Sequence, residues 1–172
     1  MTGTTTVRRA SGEEAAADLH RLLAGASGRV GSVDESYGGA AEITFGDRGA
    51  LWVLATEASL WRLLDTTAEE LLRSDAPNSV RGLRNELEGA SVTALSVAAP
   101  NVDLVAELSD GRRLIVECKS DEPLAATIPI PPHWEVFTPD DMVVAVGPGP
   151  YWAHYPADVP EIELALPHVV PR

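Results

Sequence analysis

The sequence predicts an α+β protein in which two diverged copies of a β-meander and hairpin unit pack as an antiparallel sheet. Three observations predict this class. The 172-residue length suits one domain, short apolar runs broken by Gly, Pro and Asp are typical of strands, and parts of the first half recur in the second. We expect a disordered tail over residues 1–10 and one domain over residues 11–172.

The first predicted element is an amphipathic helix. Ser11 followed by Glu14 matches a capping box, and apolar residues at helical spacing continue from there to Gly25. Three β-compatible segments then predict a meander over residues 30–37, 40–45 and 50–55. Two short helices, predicted over residues 67–74 and 80–87, separate the copies.

The internal repeat is carried by short echoes. Leu23-Ala-Gly-Ala-Ser27 is matched by Leu87-Glu-Gly-Ala-Ser91, and Trp61 by Trp134 in an equivalent place. The predicted copies cover about residues 20–65 and 84–152. A repeat of this size predicts two similar structural units in one domain.

A hairpin is predicted around Asp110-Gly111, between two alternating runs. A two-residue loop would put charges among aliphatic side chains, whereas a Ser109-Asp110-Gly111 loop pairs Leu108 with Arg112 and Asp103 with Glu117. We prefer the longer loop because one face is then wholly apolar: Val102, Leu104, Ala106, Leu108, Leu114, Val116 and Cys118. The corresponding face expected in the first copy is Gly39, Ala41, Ile43, Phe45, Leu51, Val53 and Ala55.

Charge and cysteine content restrict the function classes. The net charge of -13 disfavours binding to nucleic acid or to an anionic membrane and would attract a basic protein. The single cysteine, Cys118, cannot form an internal disulfide, so we expect a cytoplasmic location. No apolar run long enough to span a bilayer occurs, and no membrane association is predicted.

The second face of the hairpin carries Asp103 on one strand and Glu117-Cys118-Lys119 on the next. This arrangement resembles the core of the PD-(D/E)xK nucleases, and the resemblance implies that Asp103 and Glu117 hold Mg²⁺ while Lys119 helps to activate water. Glu86 or Glu88 would be the additional acid. The alternative is a solvated hairpin face on which Lys119 relieves two acids, and the negative charge favours it.

The carboxyl-terminal segment predicts another hairpin, with Thr138-Pro-Asp-Asp141 as its turn. The pattern Leu-x-Gly, Asp-Gly, Trp-x-x-x-Thr-Pro-Asp and Val-Gly-Pro-Gly over residues 84–152 resembles small bacterial proteins of unknown function, often placed near toxin and immunity loci. That resemblance implies a fold more than an activity. An extended proline-rich tail is expected after the hairpin, and the abundance of Ala, Gly, Val and Arg indicates a high-GC bacterium, such as an actinobacterium.

The candidate partner-binding residues lie in this segment: Trp134, Tyr151, Trp152 and His154. The alternative is that these side chains cover the end of a sheet. We therefore predict a non-enzymatic protein-binding module of the immunity or accessory type, with no cofactor and no favoured metal or catalytic residue. The Mg²⁺-dependent nuclease is the enzymatic alternative, and a small-molecule binder with a cavity between the repeats is the third. A homodimer formed at a sheet edge is compatible with each.

Overall fold

The computed structural model describes residues 4–10, 12–36, 39–57, 59–118, 132–147 and 151–159. The helices are α1 (Gly12–Leu22) and α2 (Ser79–Leu87). The first six strands are β1 (Thr6–Arg9), β2 (Gly28–Glu35), β3 (Ala41–Asp47), β4 (Ala50–Ala55), β5 (Trp61–Leu64) and β6 (Glu70–Arg73). The other six are β7 (Ser91–Ala98), β8 (Asp103–Leu108), β9 (Arg113–Val116), β10 (Trp134–Phe137), β11 (Met142–Val146) and β12 (Tyr151–Pro156). Across the described residues, the protein is mostly β and not the balanced α+β protein that the sequence predicts.

The strands form one antiparallel sheet, as predicted, in the order β1-β12-β11-β10-β4-β3-β2-β7-β8-β9-β5-β6. Two meanders, β2-β3-β4 and β7-β8-β9, meet at β2 and β7. Strand β5 follows the first meander along the chain but pairs with β9 of the second. Strand β10 follows the second meander but pairs with β4 of the first. The two halves of the chain therefore exchange strands across the sheet.

The two helices cover one side of the sheet, which we call the inner face. Helix α1 packs against β7, and α2 packs against β2 and β6. The apolar side chains Ala15, Ala16 and Leu19 of α1 join the core because they share one side of the helix. The opposite side of the sheet is the outer face. Neither helix is long and apolar enough to cross a lipid bilayer.

Two sequence predictions fail at the level of local structure. Residues 1–10 are predicted to be disordered, yet Thr6–Arg9 form β1, which pairs with β12. A helix is predicted over residues 67–74, yet Glu70–Arg73 form β6. The carboxylate of Asp65 accepts hydrogen bonds from the amide N–H groups of Thr67 and Glu69, at 2.8 and 2.9 Å, and this turn reverses the chain onto β5. Tertiary pairing thus overrides the helix propensity of the segment.

The contact between the two meanders is short. Strands β2 and β7 share two residue pairs, beginning at Gly28 and Val92. At this point β2 also lies tightly against β3, because a Cβ at Gly28 would be 2.3 Å from the Cα of Gly46. Gly28 has a φ of +135°, so both the backbone conformation and the close approach require glycine.

Candidate functional site

The β8–β9 hairpin has the predicted register. Leu104 pairs with Val116 and Ala106 with Leu114. The amide of Leu108 donates to the carbonyl of Arg112 at 3.0 Å, and Gly111 has a φ of +89°, as the three-residue loop requires. All seven residues of the predicted apolar face are buried. Cys118 is one of them, which confirms its prediction as a small core residue.

The hairpin of the first meander differs from the prediction. Ile43 pairs with Leu54 and Phe45 with Trp52, so the loop has two residues and the register is displaced. Trp52 and Leu54 are consequently buried on the inner face. Leu51, which was expected in the core, lies on the outer face and is 53% exposed. The predicted apolar face is therefore wrong for this strand.

The acids of the nuclease hypothesis are engaged in local contacts. One carboxylate oxygen of Asp103 accepts a hydrogen bond from the backbone amide of Cys118 at 2.8 Å. The carboxylate of Glu117 lies 3.2 Å from the guanidinium of Arg62 on β5. Lys119 lies outside the described residues. Asp103 thus fastens the end of the hairpin, and Glu117 joins it to the next strand.

No third acid completes a metal site within the part of the chain that the structure describes. Glu86 pairs with Arg112 at 2.7 Å, and Arg112 also binds Asp110 at 2.8 Å. Glu88, directly after α2, lies 3.9 Å from Arg84 of that helix. The candidate additional acids therefore stabilise α2 and the hairpin loop.

The aromatic candidates divide into buried and accessible residues. Trp134 is fully buried, and its indole N–H donates to the carbonyl of Val102 at 3.1 Å. Trp152 is also buried in the core. Tyr151 and His154 are partly exposed, and burial lowers the pKa of His154 although the Asp140 carboxylate acts in the opposite direction. The two tryptophans have a packing role, and they present no surface to a partner.

A different group of residues lies on the outer face beside the first meander. Asp34 on β2 is directly opposite Glu42 on β3, and both side chains have solvent access. Neither forms an ion pair with any described residue. Like charges at opposite positions of neighbouring strands destabilise a sheet. This acid pair is therefore a local electrostatic cost that no described cation offsets.

Exposed apolar side chains continue the same face. Phe137 pairs with Val53, and Leu51 precedes Val53 by two residues, so the three side chains point outward. Phe137 is 36% exposed and Leu51 53% exposed. We call the surface formed by Asp34, Glu42, Leu51, Val53 and Phe137 the acidic–apolar strip. It combines charge with apolar area, as the contact surfaces of proteins often do.

A pair of carboxyl groups, Glu57 and Glu135, lies beside the strip. Glu57 is hydrogen-bonded to Glu135, which is 8% exposed. Burial raises the pKa of Glu57, the hydrogen bond from Glu135 opposes the rise, and the charge of Glu42 adds to it. The hydroxyl of Tyr155 also lies 3.5 Å from Glu135. Glu57 and Glu135 therefore form a hydrogen-bonded carboxyl pair at the border of the strip.

Sequence reasoning did not single out this strip. Glu42 stands alone between Ala41 and Ile43 in an apolar strand, and Glu135 stands between Trp134 and Val136. An isolated acid in an apolar run was the available signal. For Glu135 the meaning of this signal depended on the long-range pairing of β10 with β4, and for Glu42 it depended on the register between the consecutive strands β2 and β3.

The fold and the strip define an antiparallel β-sheet protein with helices on one face and a charged, partly apolar surface on the other. No protein-family model matches the chain, and comparison with curated proteins and with solved structures likewise finds no significant similarity. Functional inference for this chain therefore depends on its own residues.

Proposed function

We propose that this chain is a non-enzymatic, cytoplasmic protein-binding module of the immunity or accessory type, whose acidic surface meets a basic partner protein. The observation that carries the proposal is the Asp34–Glu42 pair on the outer face, which lacks a described cation. A lysine or arginine from a partner would relieve the repulsion between these carboxylates. The net charge of -13 would also accelerate association with a basic protein.

The exposed apolar residues support the same proposal. Phe137 and Leu51 lie on the face that carries the acid pair. Burial of their apolar area by a partner would contribute about 25 cal/mol of stabilisation per Å², in addition to the charge contacts. Tyr151 and His154 are among the partner-binding residues that the sequence predicts, and because they are partly exposed they could form secondary contacts with the partner. Trp134 and Trp152 would support the surface only from within the core.

The test measures binding by calorimetry between the purified chain and the products of its neighbouring genes. We expect one of them to bind, with an affinity that falls as salt rises from about 0.05 to 0.5 M because salt screens surface charges. Glu42→Lys should weaken this binding at least tenfold. Glu107→Lys is the matched control, because Glu107 is an exposed strand residue of the other meander. Equal effects of both variants would contradict the role of the strip.

The same preparation tests the nuclease alternative. Incubation with DNA or RNA and Mg²⁺ or Mn²⁺ should produce no cleavage, because Asp103 and Glu117 are held by Cys118 and Arg62. Cleavage that is lost in Asp103→Asn and Glu117→Gln variants would overturn the proposed function in favour of the nuclease.

We also propose that the two halves are diverged copies of one unit. In support, each half contains a helix, then a three-stranded meander and then a further antiparallel strand pair; β1 precedes this order in the first half, and β12 follows it in the second. Each meander also has a register irregularity at a corresponding place, between Val30 and Ser32 in β2 and between Val92 and Ala94 in β7. A common origin accounts for both features.

A further inference from the structure

The strand pairings make each half of the chain depend on the other. We define the N-terminal half as α1 and β1–β6, and the C-terminal half as α2 and β7–β12. Three pairings cross between the halves at their outer strands or edges: β5 with β9, β10 with β4, and β1 with β12. By contrast, the two meanders pair directly over only two residue pairs, at β2 and β7. Most of the strand pairing between the halves thus comes from strands that lie beside strands of the other half, in both directions.

The helices follow the same reciprocal pattern. Helix α1 of the N-terminal half packs on β7, while α2 of the C-terminal half packs on β2. Arg84 of α2 donates to the carbonyl of Val33 on β2 at 2.7 Å. The amide of Gly12 donates to the carbonyl of Pro100 at 3.3 Å. Each half therefore supplies both strands and a helix to the core of the other.

A single exposed connector joins the halves. It runs from Ser74 to Asn78, and Asp75, Pro77 and Asn78 are exposed. Ser74 is bonded to Trp61 of β5 within its own half, since its amide donates to the Trp61 carbonyl at 2.9 Å and its hydroxyl accepts from the Trp61 amide at 3.0 Å. The Ser79 hydroxyl donates to the carbonyl of Ser74 at 2.9 Å. Helix α2 packs back against β6, so the connector must reverse the direction of the chain. Asn78 has a left-handed φ of +55°, a conformation that an extended connector would not need.

We propose that the fitting partner for these crossed surfaces is a second copy of this chain, with which the monomer can exchange C-terminal halves to form a dimer. In the exchanged dimer each N-terminal half pairs with the C-terminal half of the other copy. Every contact between halves is reproduced, and only the connector changes conformation. No new apolar or charged surface has to be matched, so the repulsion between two chains of net charge -13 is the main electrostatic cost of the exchange.

The first test mixes two full-length chains with defects in different halves. Leu54→Asp places a charge in the core of β4, and Leu114→Asp does so in β9, where both leucines are 1% exposed. Each variant is first shown to lack the native near-ultraviolet circular dichroism. If the signal persists, Phe45→Asp is added to the Leu54→Asp variant, or Val116→Asp to the Leu114→Asp variant. Refolded together, they should recover about half of the wild-type signal per chain, because one intact half from each forms one native unit.

Two controls determine the outcome of the mixing experiment. A mixture of Leu54→Asp chains with Phe45→Asp chains, which both have their defect in the N-terminal half, should recover no native signal. Recovery by the complementary mixture, together with a dimer in light scattering, supports the exchange. A complementary mixture with no more native signal than the separate variants overturns it.

The second test changes the connector in the intact chain. Deletion of Asp75 to Asn78 removes the length needed for the reversal and should double the molar mass in light scattering, with unchanged far-ultraviolet circular dichroism. A four-residue Gly-Ser insertion at Ala76 is the matched control and should remain monomeric. A folded monomer or an unfolded chain after the deletion overturns the proposal.

Discussion

Substitution of Gly147 by alanine should strongly destabilise the protein. Gly147 has a φ of +78°, and a Cβ at this position would lie 2.2 Å from Cδ2 of the His133 ring. His133 is buried, so its ring has little room to move aside. The left-handed conformation costs alanine roughly 1–2 kcal/mol, and overpacking a buried site costs roughly 1–3 kcal/mol. We therefore expect a loss of about 2–5 kcal/mol in the free energy of unfolding.

Gly49→Ala is the matched control for this substitution. Gly49 has a φ of +84°, and a Cβ there would meet no atom within 4 Å. Urea denaturation followed by tryptophan fluorescence should therefore show a loss of only roughly 1–2 kcal/mol. In a His133→Ala background, the cost of Gly147→Ala should fall to the cost of the control. If Gly147→Ala and Gly49→Ala differ by less than about 0.5 kcal/mol in the native background, the close contact between Gly147 and His133 is refuted.

Substitutions at three further positions test individual contacts. Trp134→Phe removes the indole N–H that satisfies the buried carbonyl of Val102, and denaturant melts should show a loss of about 1–3 kcal/mol; an unchanged midpoint would refute that contact. Glu57→Gln should stabilise the protein at neutral pH. Because the pKa of Glu57 is raised in the folded state, its contribution to stability is present at low pH and is lost as the pH rises through that value. The difference from wild type should therefore grow with pH, and a pH-independent difference would refute the shift. Asp103→Ala should cost about 1.5–3 kcal/mol through the lost hydrogen bond to the Cys118 amide, whereas Asp103→Asn should retain most of the stability; equal losses would argue against this contact.

The two hairpins show where sequence reasoning about register succeeds and where it does not. In β8 and β9, charged residues alternate with apolar ones, so only one register keeps the charges out of the core. Residues 50–55 are uninterrupted apolar side chains, Ala-Leu-Trp-Val-Leu-Ala. Such a run fits either face equally well. The register there depends on the two-residue turn and on the neighbouring β10, which the local sequence does not specify.

The candidate residues of the acidic–apolar strip were missed for a related reason. Asp103 and Glu117 attracted a catalytic interpretation because they are opposite each other in a hairpin that could be built from sequence. The positions of Arg62 and the Cys118 amide relative to these acids depend on β5 pairing with β9 and on side-chain geometry. The Asp34–Glu42 pair required the register between β2 and β3. Pairing between distant strands thus decides the environment of Glu117, whereas the contacts of Asp103 and of the Asp34–Glu42 pair depend on the register of consecutive strands.

The crossed strand pairing also has a consequence for synthesis of the chain. Strand β4 pairs with β10, and Leu54 lies opposite Val136. Because these residues are far apart in sequence, β4 emerges from the ribosome long before its neighbour. Until then, one edge of the first meander has free backbone N–H and C=O groups, which can pair with other chains. Contacts between residues so distant in sequence also slow folding. The excess of acidic over basic residues opposes association during that interval, so the acidic composition protects the nascent chain.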